Sequence, residues 1–399
     1  MATMNTTGSL FTHLVCSGAG ERHEIDGILT FCPAHQKTLV AQYNTAAGLS
    51  RDILAGRATE WNMWRYREML PVKDSANIVS CGEGATCLER MDRISERFGI
   101  DVFLKDEAIN PGNSFKSRGQ SAAISMAKES GVQAVIIPTA GNAGSAMAQY
   151  AARAGMEAIV YMPKNTPRPF RWEAEAHGAT VHLVDGSIAD CGAEVKRVLA
   201  NETNMLDVST FFEPFRLEGK KTMGYEIAEQ MAWRMPDVIL YPTGGGTGLV
   251  GIWKAAQEMK ALGWIDGKTM PRMAVVQMAG CAPVVNSFHK NARAREVTPV
   301  AAPDETAAFG LRVPKAFAGN EIMKTLLESK GTAIAVAEGD LNPNAKELMR
   351  QGFSVGPESA ALLTALHQLH ASGWIKPQQR VVMLSTGGPY KYMEQMRLR

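Results

Sequence analysis

Cysteine is scarce in this chain of 399 residues, and long apolar runs and an excess of one charge are absent. The six cysteines are too few and too widely spaced for a disulfide scaffold of this size. No stretch reaches the roughly 18 apolar residues that a membrane-spanning helix needs. The 42 basic and 40 acidic residues leave a net charge of +2, which excludes attraction to nucleic acid or to an anionic membrane as the main role.

Composition favours a folded protein of a reducing compartment. Hydrophobic residues make up 45% of the chain, which excludes a mostly disordered protein. The amino end, Met1 to Asn5, lacks the basic start and apolar core of a secretory signal, so we expect a cytoplasmic location. At about 150 residues per domain, this length predicts two or three domains.

From residue 101 onward, short apolar runs alternate with helical patterns. Unbroken apolar strands separated by helices predict an α/β fold with parallel sheets covered on both faces. The segment 43–69 reads as helical because it shows no strand alternation. Strands are predicted at 102–104, 134–137, 158–161, 181–184, 238–241, 274–277 and 381–384, with helices at 115–128, 142–153, 170–177, 188–199 and 248–259.

The strongest motif is a glycine-rich loop between a predicted strand and a predicted helix. It consists of Gly244, Gly245, Gly246, Thr247 and Gly248. Glycines let backbone amides approach an anion, and the amino end of the next helix adds unpaired amides. The alternative is an ordinary tight turn, but four glycines in five residues exceed what a turn requires. The loop therefore predicts a phosphate site, without the acidic partner of a dinucleotide fingerprint.

A lysine begins another helix. The turn at 110–113 precedes Ser114, which can cap the helix, and Lys116 then lies in its first turn. A cation is unfavourable there, which lowers the pKa of an ammonium group and suits a nucleophilic lysine. Taken alone, the motif fits a solvated surface lysine equally well.

Two further loops follow strands at the edge where parallel sheets bind ligands. Asn142, after Thr139, Ala140 and Gly141, either caps its helix or holds a ligand oxygen. Near the carboxyl end, the hydroxyls at positions 385 and 386 either meet a heterocyclic nitrogen or bond within the turn.

The order of these loops resembles the pyridoxal-phosphate enzymes of the tryptophan-synthase-β type and, within them, the threonine synthases. The resemblance runs from about Val79 to Tyr392. The segments that carry it are 82–86 (GEGAT), 113–119 (NSFKSRG), 140–142 (AGN), 244–248 (GGGTG) and 386–391 (TGGPYK).

The resemblance implies a role for each of these loops. Lys116 would form the Schiff base with pyridoxal 5'-phosphate, and Asn142 would bond the ring hydroxyl. The glycine loop would bind the cofactor phosphate. Thr386 would meet the pyridine nitrogen, with Ser385 as its substitute if the register differs by one residue.

The family fold implies two interleaved domains, each a mostly parallel twisted sheet flanked by helices. We expect a larger cofactor-binding domain at 46–115 and 205–399, and a smaller mobile domain at 116–204. Aromatic residues in the first seventy positions favour a homodimer.

The first 45 residues resemble a small zinc ribbon that has lost ligands. Cys16, Cys32 and His35 remain, whereas Ala19 stands at the second cysteine position. Three ligands are one short of a closed structural site, so the sequence predicts no bound metal.

The resemblance implies a carbon–oxygen lyase that acts on phosphates, converting O-phospho-L-homoserine and water into L-threonine and phosphate. Ser114 and Arg118 are the nearest candidates for the substrate phosphate, and the 139–141 loop would bind the rest of the amino acid. Departures at Ser117 and Pro389 keep open a related enzyme, such as a serine or threonine dehydratase or a cysteate synthase. A nucleotide-binding protein without this cofactor would explain the glycine loop but not the lysine segment.

Overall fold

A computed structural model describes residues 8–25, 27 and 30–396 of the chain. Its contacts divide the chain into two compact units. Unit 1 comprises Met1–Ala85 and Lys116–Thr222, and unit 2 comprises Thr86–Phe115 and Met223–Arg399. Each unit is therefore built from two separate stretches of sequence.

The strands alternate with helices through most of the chain. The strands are β1 (Phe11–Cys16), β2 (Arg22–His23), β3 (Leu39–Tyr43), β4 (Leu88–Arg90), β5 (Asp101–Asp106), β6 (Ala134–Pro138), β7 (Glu157–Pro163), β8 (Thr180–Val184), β9 (Met205–Asp207), β10 (Val238–Pro242), β11 (Arg272–Met278), β12 (Thr332–Val336) and β13 (Arg380–Ser385). The α-helices are α1 (Asp92–Phe98), α2 (Lys116–Glu129), α3 (Asn142–Ala154), α4 (Arg168–Ala176), α5 (Ile188–Leu199), α6 (Phe215–Gln230), α7 (Thr247–Ala261), α8 (Pro283–Asn291), α9 (Gly319–Glu328), α10 (Leu341–Met349), α11 (Pro357–Ala371) and α12 (Met393–Met396).

Unit 1 contains two sheets. The first is antiparallel, with strand order β2-β1-β3. The second is parallel, with order β8-β7-β6-β9. Its central strand β6 is almost entirely apolar and buried, because helices cover a parallel sheet on both faces.

Unit 2 is organised around one sheet with order β12-β11-β10-β13-β5-β4. All neighbours in it are parallel except β4 and β5, which run antiparallel. The core beside this sheet combines strand residues such as Val238 and Leu240 with α11 residues such as Leu362 and Leu366. The predicted α/β class, with mostly parallel sheets and flanking helices, is confirmed.

The predicted helix over 43–69 is wrong. This segment instead contains three 3-10 helices, Thr45–Ala47, Arg51–Arg57 and Met63–Met69. Leu49, Leu54, Met63 and Trp64 are buried at spacings that no single α-helical face provides. Trp64 also bonds out of the segment, since its Nε1 donates to Ser121 Oγ at 2.9 Å.

The chain just after this segment also packs on α2 within unit 1. The Val79 amide donates to Ser125 Oγ at 2.8 Å, and the Ser121 hydroxyl donates to the Val79 carbonyl at 2.7 Å. Residues 46–85 are therefore grouped with α2 in this division of the chain. None of the described helices is long and apolar enough to cross a membrane.

Candidate active site

Two backbone contacts in unit 2 hold the residues just before Lys116. The Phe115 amide donates to the Thr386 carbonyl at 3.1 Å, and Ser114 forms a β-bridge with Gly387. Lys116 is the next residue and the first of α2, as the sequence predicts. Residues up to Phe115 are thus held beside the end of β13 within unit 2.

Ser114 does not cap α2, contrary to the expectation from sequence. Its backbone is extended, and its buried hydroxyl has no hydrogen-bond partner among the described residues. A buried hydroxyl without a partner is costly, so this one is available to a ligand.

Lys116 lies in unit 1 near a second buried lysine. Burial, together with the charges of Arg216 and Lys116, lowers the pKa of Lys220 well below its ordinary value. Gly119 permits this close packing of α2 and α6, since a Cβ there would lie 2.9 Å from Lys220 Cε. The result is a buried cluster of positive side chains, formed by Lys116, Arg216 and Lys220.

Arg216 is fully buried, and its hydrogen bonds are incomplete. Its Nη1 donates to the Val208 carbonyl at 2.6 Å, whereas Nε and Nη2 have no partner within the described residues. Asp207 and Glu213 lie near its charge. Burial raises the pKa of Glu213 to about 7, so this carboxyl is partly neutral at neutral pH. Arg216 thus keeps two donors that can bind an anion, beside two carboxyl groups that partly offset its charge.

Arg118, one of the predicted phosphate ligands, is also fully buried. Its Nη1 donates to Thr222 Oγ1 at 2.9 Å. A Cβ on Gly219 would lie 1.9 Å from the Arg118 carbonyl oxygen, so the backbones of α2 and α6 nearly touch here. Arg118 therefore contributes to the packing of these two helices.

The asparagine loop follows β6 in unit 1. Gly141 occupies the N-cap position of α3, and Asn142 is its first helical residue. The Gly141 amide donates to Thr139 Oγ1 at 3.2 Å. A Cβ on Gly144 would lie 2.5 Å from Thr139 Cγ2, so a side chain there would disrupt the turn. The loop thus presents the amino end of α3, where backbone amides favour an anion.

The glycine loop connects β10 and α7 in unit 2. Gly246 is the N-cap residue of α7 and has φ +81°, which favours glycine. A Cβ on Gly244 would lie 2.1 Å from the Gly310 carbonyl oxygen. Gly310 is itself held by Glu358, whose Oε1 accepts from its amide at 2.9 Å and from the Tyr392 hydroxyl at 3.0 Å. The loop is therefore fixed from several sides, with its amides at a helix amino end.

At the end of β13, the two candidate hydroxyls differ in their surroundings. Ser385 is fully buried, and its hydroxyl faces the Asp106 carboxyl. Burial raises the pKa of Asp106, and the Ser385 hydroxyl partly opposes that rise. Thr386 is slightly exposed, and its amide donates to Ser359 Oγ at 3.1 Å. The deeper burial of Ser385 favours its hydroxyl over that of Thr386 as the candidate partner of a heterocyclic nitrogen.

Comparison with known proteins accounts for this set of loops. The family model for pyridoxal-phosphate-dependent enzymes matches residues 79–387, which include the lysine, asparagine and glycine segments. The chain belongs to this family. Its cofactor is therefore pyridoxal phosphate, as the sequence predicts.

Curated relatives indicate which members of this family the chain resembles. The threonine synthase of Methanocaldococcus jannaschii is 33% identical over 377 residues, which cover 93% of this chain and 91% of that protein. The threonine synthase of Methanosarcina acetivorans is 32% identical over 378 residues, covering 94% and 91%. The predicted threonine synthase-like family is confirmed, and with it the description as a lyase of amino-acid biosynthesis.

A solved structure shows the shared fold. The processed form of threonine deaminase isoform 2 from Solanum lycopersicum matches with a TM-score of 0.67 at 18% identity. The match covers 88% of this chain and 94% of that one.

The residues of both units fit the cofactor. In unit 2, side chains are excluded at Gly244, Gly246 and Gly248, so the loop that would receive a phosphate exposes its backbone amides at these positions. The buried Ser385 hydroxyl suits a pyridine nitrogen. In unit 1, Lys116 is the first residue of α2 and lies near the basic side chain of Lys220.

Sequence reasoning missed two residues of the site. Arg216 and Lys220 lie in a helix that the sequence pattern did not predict, and their close packing on α2 depends on Gly119, about 100 residues earlier. The density of charged residues in α6 next to apolar strands is the signal that could have indicated them.

Proposed function

We propose that this protein is a threonine synthase, which converts O-phospho-L-homoserine and water into L-threonine and phosphate. The names of its relatives support this reaction. The structural observation that carries it is the buried guanidinium of Arg216, with hydrogen-bond partners missing on one edge.

That edge of the guanidinium group has the geometry needed to bind a phosphate. Nε and Nη2 lie side by side on the guanidinium plane and form two parallel hydrogen bonds to a carboxylate or a phosphate. Leaving these two donors buried without acceptors costs about 1–3 kcal/mol each, and more for a charged group. Lys220 lies near Arg216 and offers a second nitrogen that can donate to an anion. A substrate with a second anionic group satisfies both side chains.

We assign the substrate phosphate to Arg216 in place of Arg118. Arg118 already donates to Thr222 Oγ1 and packs between α2 and α6. Ser114 stays a candidate contact for the substrate through its unpartnered hydroxyl. Thr139, Ala140 and Gly141, before the amino end of α3, suit the α-carboxylate.

The remaining roles follow from chemistry. Bound pyridoxal phosphate withdraws electrons from the reacting carbons of the substrate. The Lys116 amine takes and returns protons at the α and β carbons, as a positioned general base and acid. The amides of 244–248 hold the cofactor phosphate, Asn142 bonds the ring hydroxyl, and a neutral hydroxyl of β13 meets the ring nitrogen.

The decisive experiment incubates the holoenzyme with O-phospho-L-homoserine. We expect phosphate and threonine to appear in equal amounts. Arg216→Gln should lower kcat/KM by on the order of 100-fold, because it removes two hydrogen bonds to a charged group. Arg197→Gln is the matched control, since Arg197 pairs with Glu194 on the surface of the same unit.

Other outcomes would contradict the proposal. If threonine gives 2-oxobutyrate and ammonia while phosphohomoserine is inert, the protein is a dehydratase of the same family. If phosphohomoserine reacts but Arg216→Gln matches the wild-type protein, the phosphate assignment is wrong and Arg118 is the residue to change next.

A further inference from the structure

Four side chains with metal-binding atoms meet at the antiparallel sheet of unit 1. Cys16 ends β1, Glu21 lies in the turn before β2, and Cys32 and His35 lie in the loop before β3. The ligand atoms of Cys16, Cys32 and His35 lie within 4.8 Å of one another. Glu21 joins them, because its Oε2 is 3.5 Å from both Cys32 Sγ and His35 Nδ1.

The separations match the edges of a tetrahedron around a metal ion. Zinc bonds of about 2.3 Å to sulfur and about 2.0–2.2 Å to nitrogen or oxygen place tetrahedral ligand atoms roughly 3.4–3.8 Å apart. His35 Nδ1 lies 3.3 Å from Cys32 Sγ and 3.9 Å from Cys16 Sγ. With the two contacts of Glu21, four edges are close to the ideal values.

The surroundings suit a structural site at the edge of a small core. Cys16 and Cys32 are buried among the apolar residues of this sheet, at 1% and 0% exposure. His35 and Glu21 are about half exposed and face the cysteines from the solvent side. His23 Nε2 lies 3.7 Å from Glu21 Oε2, where it can orient that carboxylate.

We propose that Cys16, Cys32, His35 and Glu21 bind one zinc ion. Thiolate, imidazole and carboxylate groups all bind zinc, and these four side chains supply the four ligands that a closed tetrahedral site requires. The sequence alone leaves three ligands, one short, and the fold brings Glu21 in as the fourth. The three strands of this sheet are short, so a metal cross-link stabilises a fold that has few core residues.

The site is linked within unit 1 to the segment before Arg216. Phe31, next to Cys32, packs edge-on against Phe212 with ring centroids 4.8 Å apart. Phe212 precedes Glu213, which accepts from the Arg216 amide. Loss of the metal should therefore loosen the support of the 211–216 segment.

The experiment measures metal in the full-length protein purified without chelators. We expect about one zinc per chain by inductively coupled plasma mass spectrometry, because the four proposed ligands bind one ion. Cobalt exchanged into the site should show the intense visible bands of tetrahedral Co²⁺ and a thiolate charge-transfer band. Cys32→Ser should abolish binding, and Glu21→Gln should weaken zinc affinity by at least the roughly 10–100-fold that loss of an outer-shell partner costs.

Matched controls separate ligands from neighbours. Cys87→Ser changes an exposed cysteine of unit 2 and should leave zinc content unchanged. His23→Gln should have a smaller effect than Glu21→Gln. Because Glu21 is half exposed, its variant should fold even if Cys32→Ser does not.

Three outcomes would overturn the proposal. The wild-type protein could lack zinc and fail to take up cobalt. Cys16 and Cys32 could instead be joined by a disulfide in the purified protein. Glu21→Gln could bind zinc like the wild type while His23→Gln does not, which would exclude Glu21 as the fourth ligand.

Discussion

Single buried polar atoms carry much of the functional information in this molecule. The Nε–Nη2 edge of Arg216 is buried without a partner among the described residues, and the Ser385 hydroxyl is buried beside the Asp106 carboxyl. Protein interiors satisfy nearly all buried polar atoms, because each unpaired one costs about 1–3 kcal/mol. Ser385 lies in the segment where the family resemblance places the pyridine nitrogen, and ligand binding is the simplest way to satisfy the open edge of Arg216.

The Ser385 hydroxyl gives a prediction at this scale. If it bonds the pyridine nitrogen, Ser385→Ala should weaken pyridoxal-phosphate affinity by roughly 2–10-fold, the range expected for one neutral hydrogen bond. The cofactor's absorption spectrum should also shift, because its ring nitrogen loses a partner. Absorbance titration of the apoenzyme measures both effects.

Thr386→Val is the control for Ser385→Ala. The two hydrogen bonds that Thr386 makes to Phe115 and Ser359 use its backbone, so they survive the substitution. We expect cofactor affinity close to that of the wild type. A larger loss in Thr386→Val than in Ser385→Ala would return the nitrogen contact to Thr386.

Residues were predictable where their signal is local. Lys116 and the glycine loop lie in short motifs that predict a position at the start of a helix. The structure places both at such a position. Glu21 and Arg216 depend on contacts with residues that are distant in sequence or are brought near by packing. No spacing rule connects Glu21 to Cys32 before the sheet has formed.

At the scale of elements, glycine sets how closely segments approach. A Cβ on Gly248 would lie 1.9 Å from the hydroxyl of Tyr241, which is buried at the end of β10. Gly119 and Gly219 do the same for α2 and α6 in unit 1. Side chains at these positions would push apart the elements that hold the candidate ligand groups.

Gly248→Ala tests this close approach. The added methyl group must displace the Tyr241 ring or shift the first turn of α7, and either change moves the amides that would bind phosphate. We expect at least a tenfold loss of pyridoxal-phosphate affinity, on the order of 1.4 kcal/mol or more. Apoenzyme titration measures the loss, and circular dichroism checks that the protein stays folded.

Gly192→Ala is the matched control for this substitution. Gly192 lies inside α5, where a Cβ meets no atom within 4 Å. Alanine should stabilise that helix by up to about 1 kcal/mol and leave cofactor affinity unchanged. If both variants bind the cofactor like the wild type, the glycine loop does not hold its phosphate.

The strands and helices of the parallel sheets were predicted well because their patterns are regular. The predicted strand at 238–241 is β10, and the helix predicted at 188–199 has those bounds in the structure. The prediction of a helix over 43–69 was wrong because contacts with α2, and not a helical periodicity, determine which of its residues are buried. Tertiary packing overrides local preference in such segments.

At the scale of the whole molecule, the chain visits each unit twice. It leaves unit 1 after Ala85, builds β4, α1 and β5 in unit 2, and returns to unit 1 at Lys116. No composition shift or linker marks these crossings, so sequence could indicate interleaving only through the family resemblance. The proposed cofactor lysine stands at one crossing.

The last prediction concerns every lysine of the chain at once. Reduction of the holoenzyme with borohydride should fix the cofactor on Lys116 alone, and peptide mapping by mass spectrometry should locate it. Lys220 is the natural competitor, because burial lowers its pKa well below the ordinary value and so favours the nucleophilic form of its amine. Lys116→Ala should abolish fixation, whereas Lys128→Ala, at the exposed end of α2, should retain it. If the reduced cofactor is found on Lys220 in the wild-type protein, the covalent site lies in α6. The acid–base role proposed for Lys116 would then belong to Lys220.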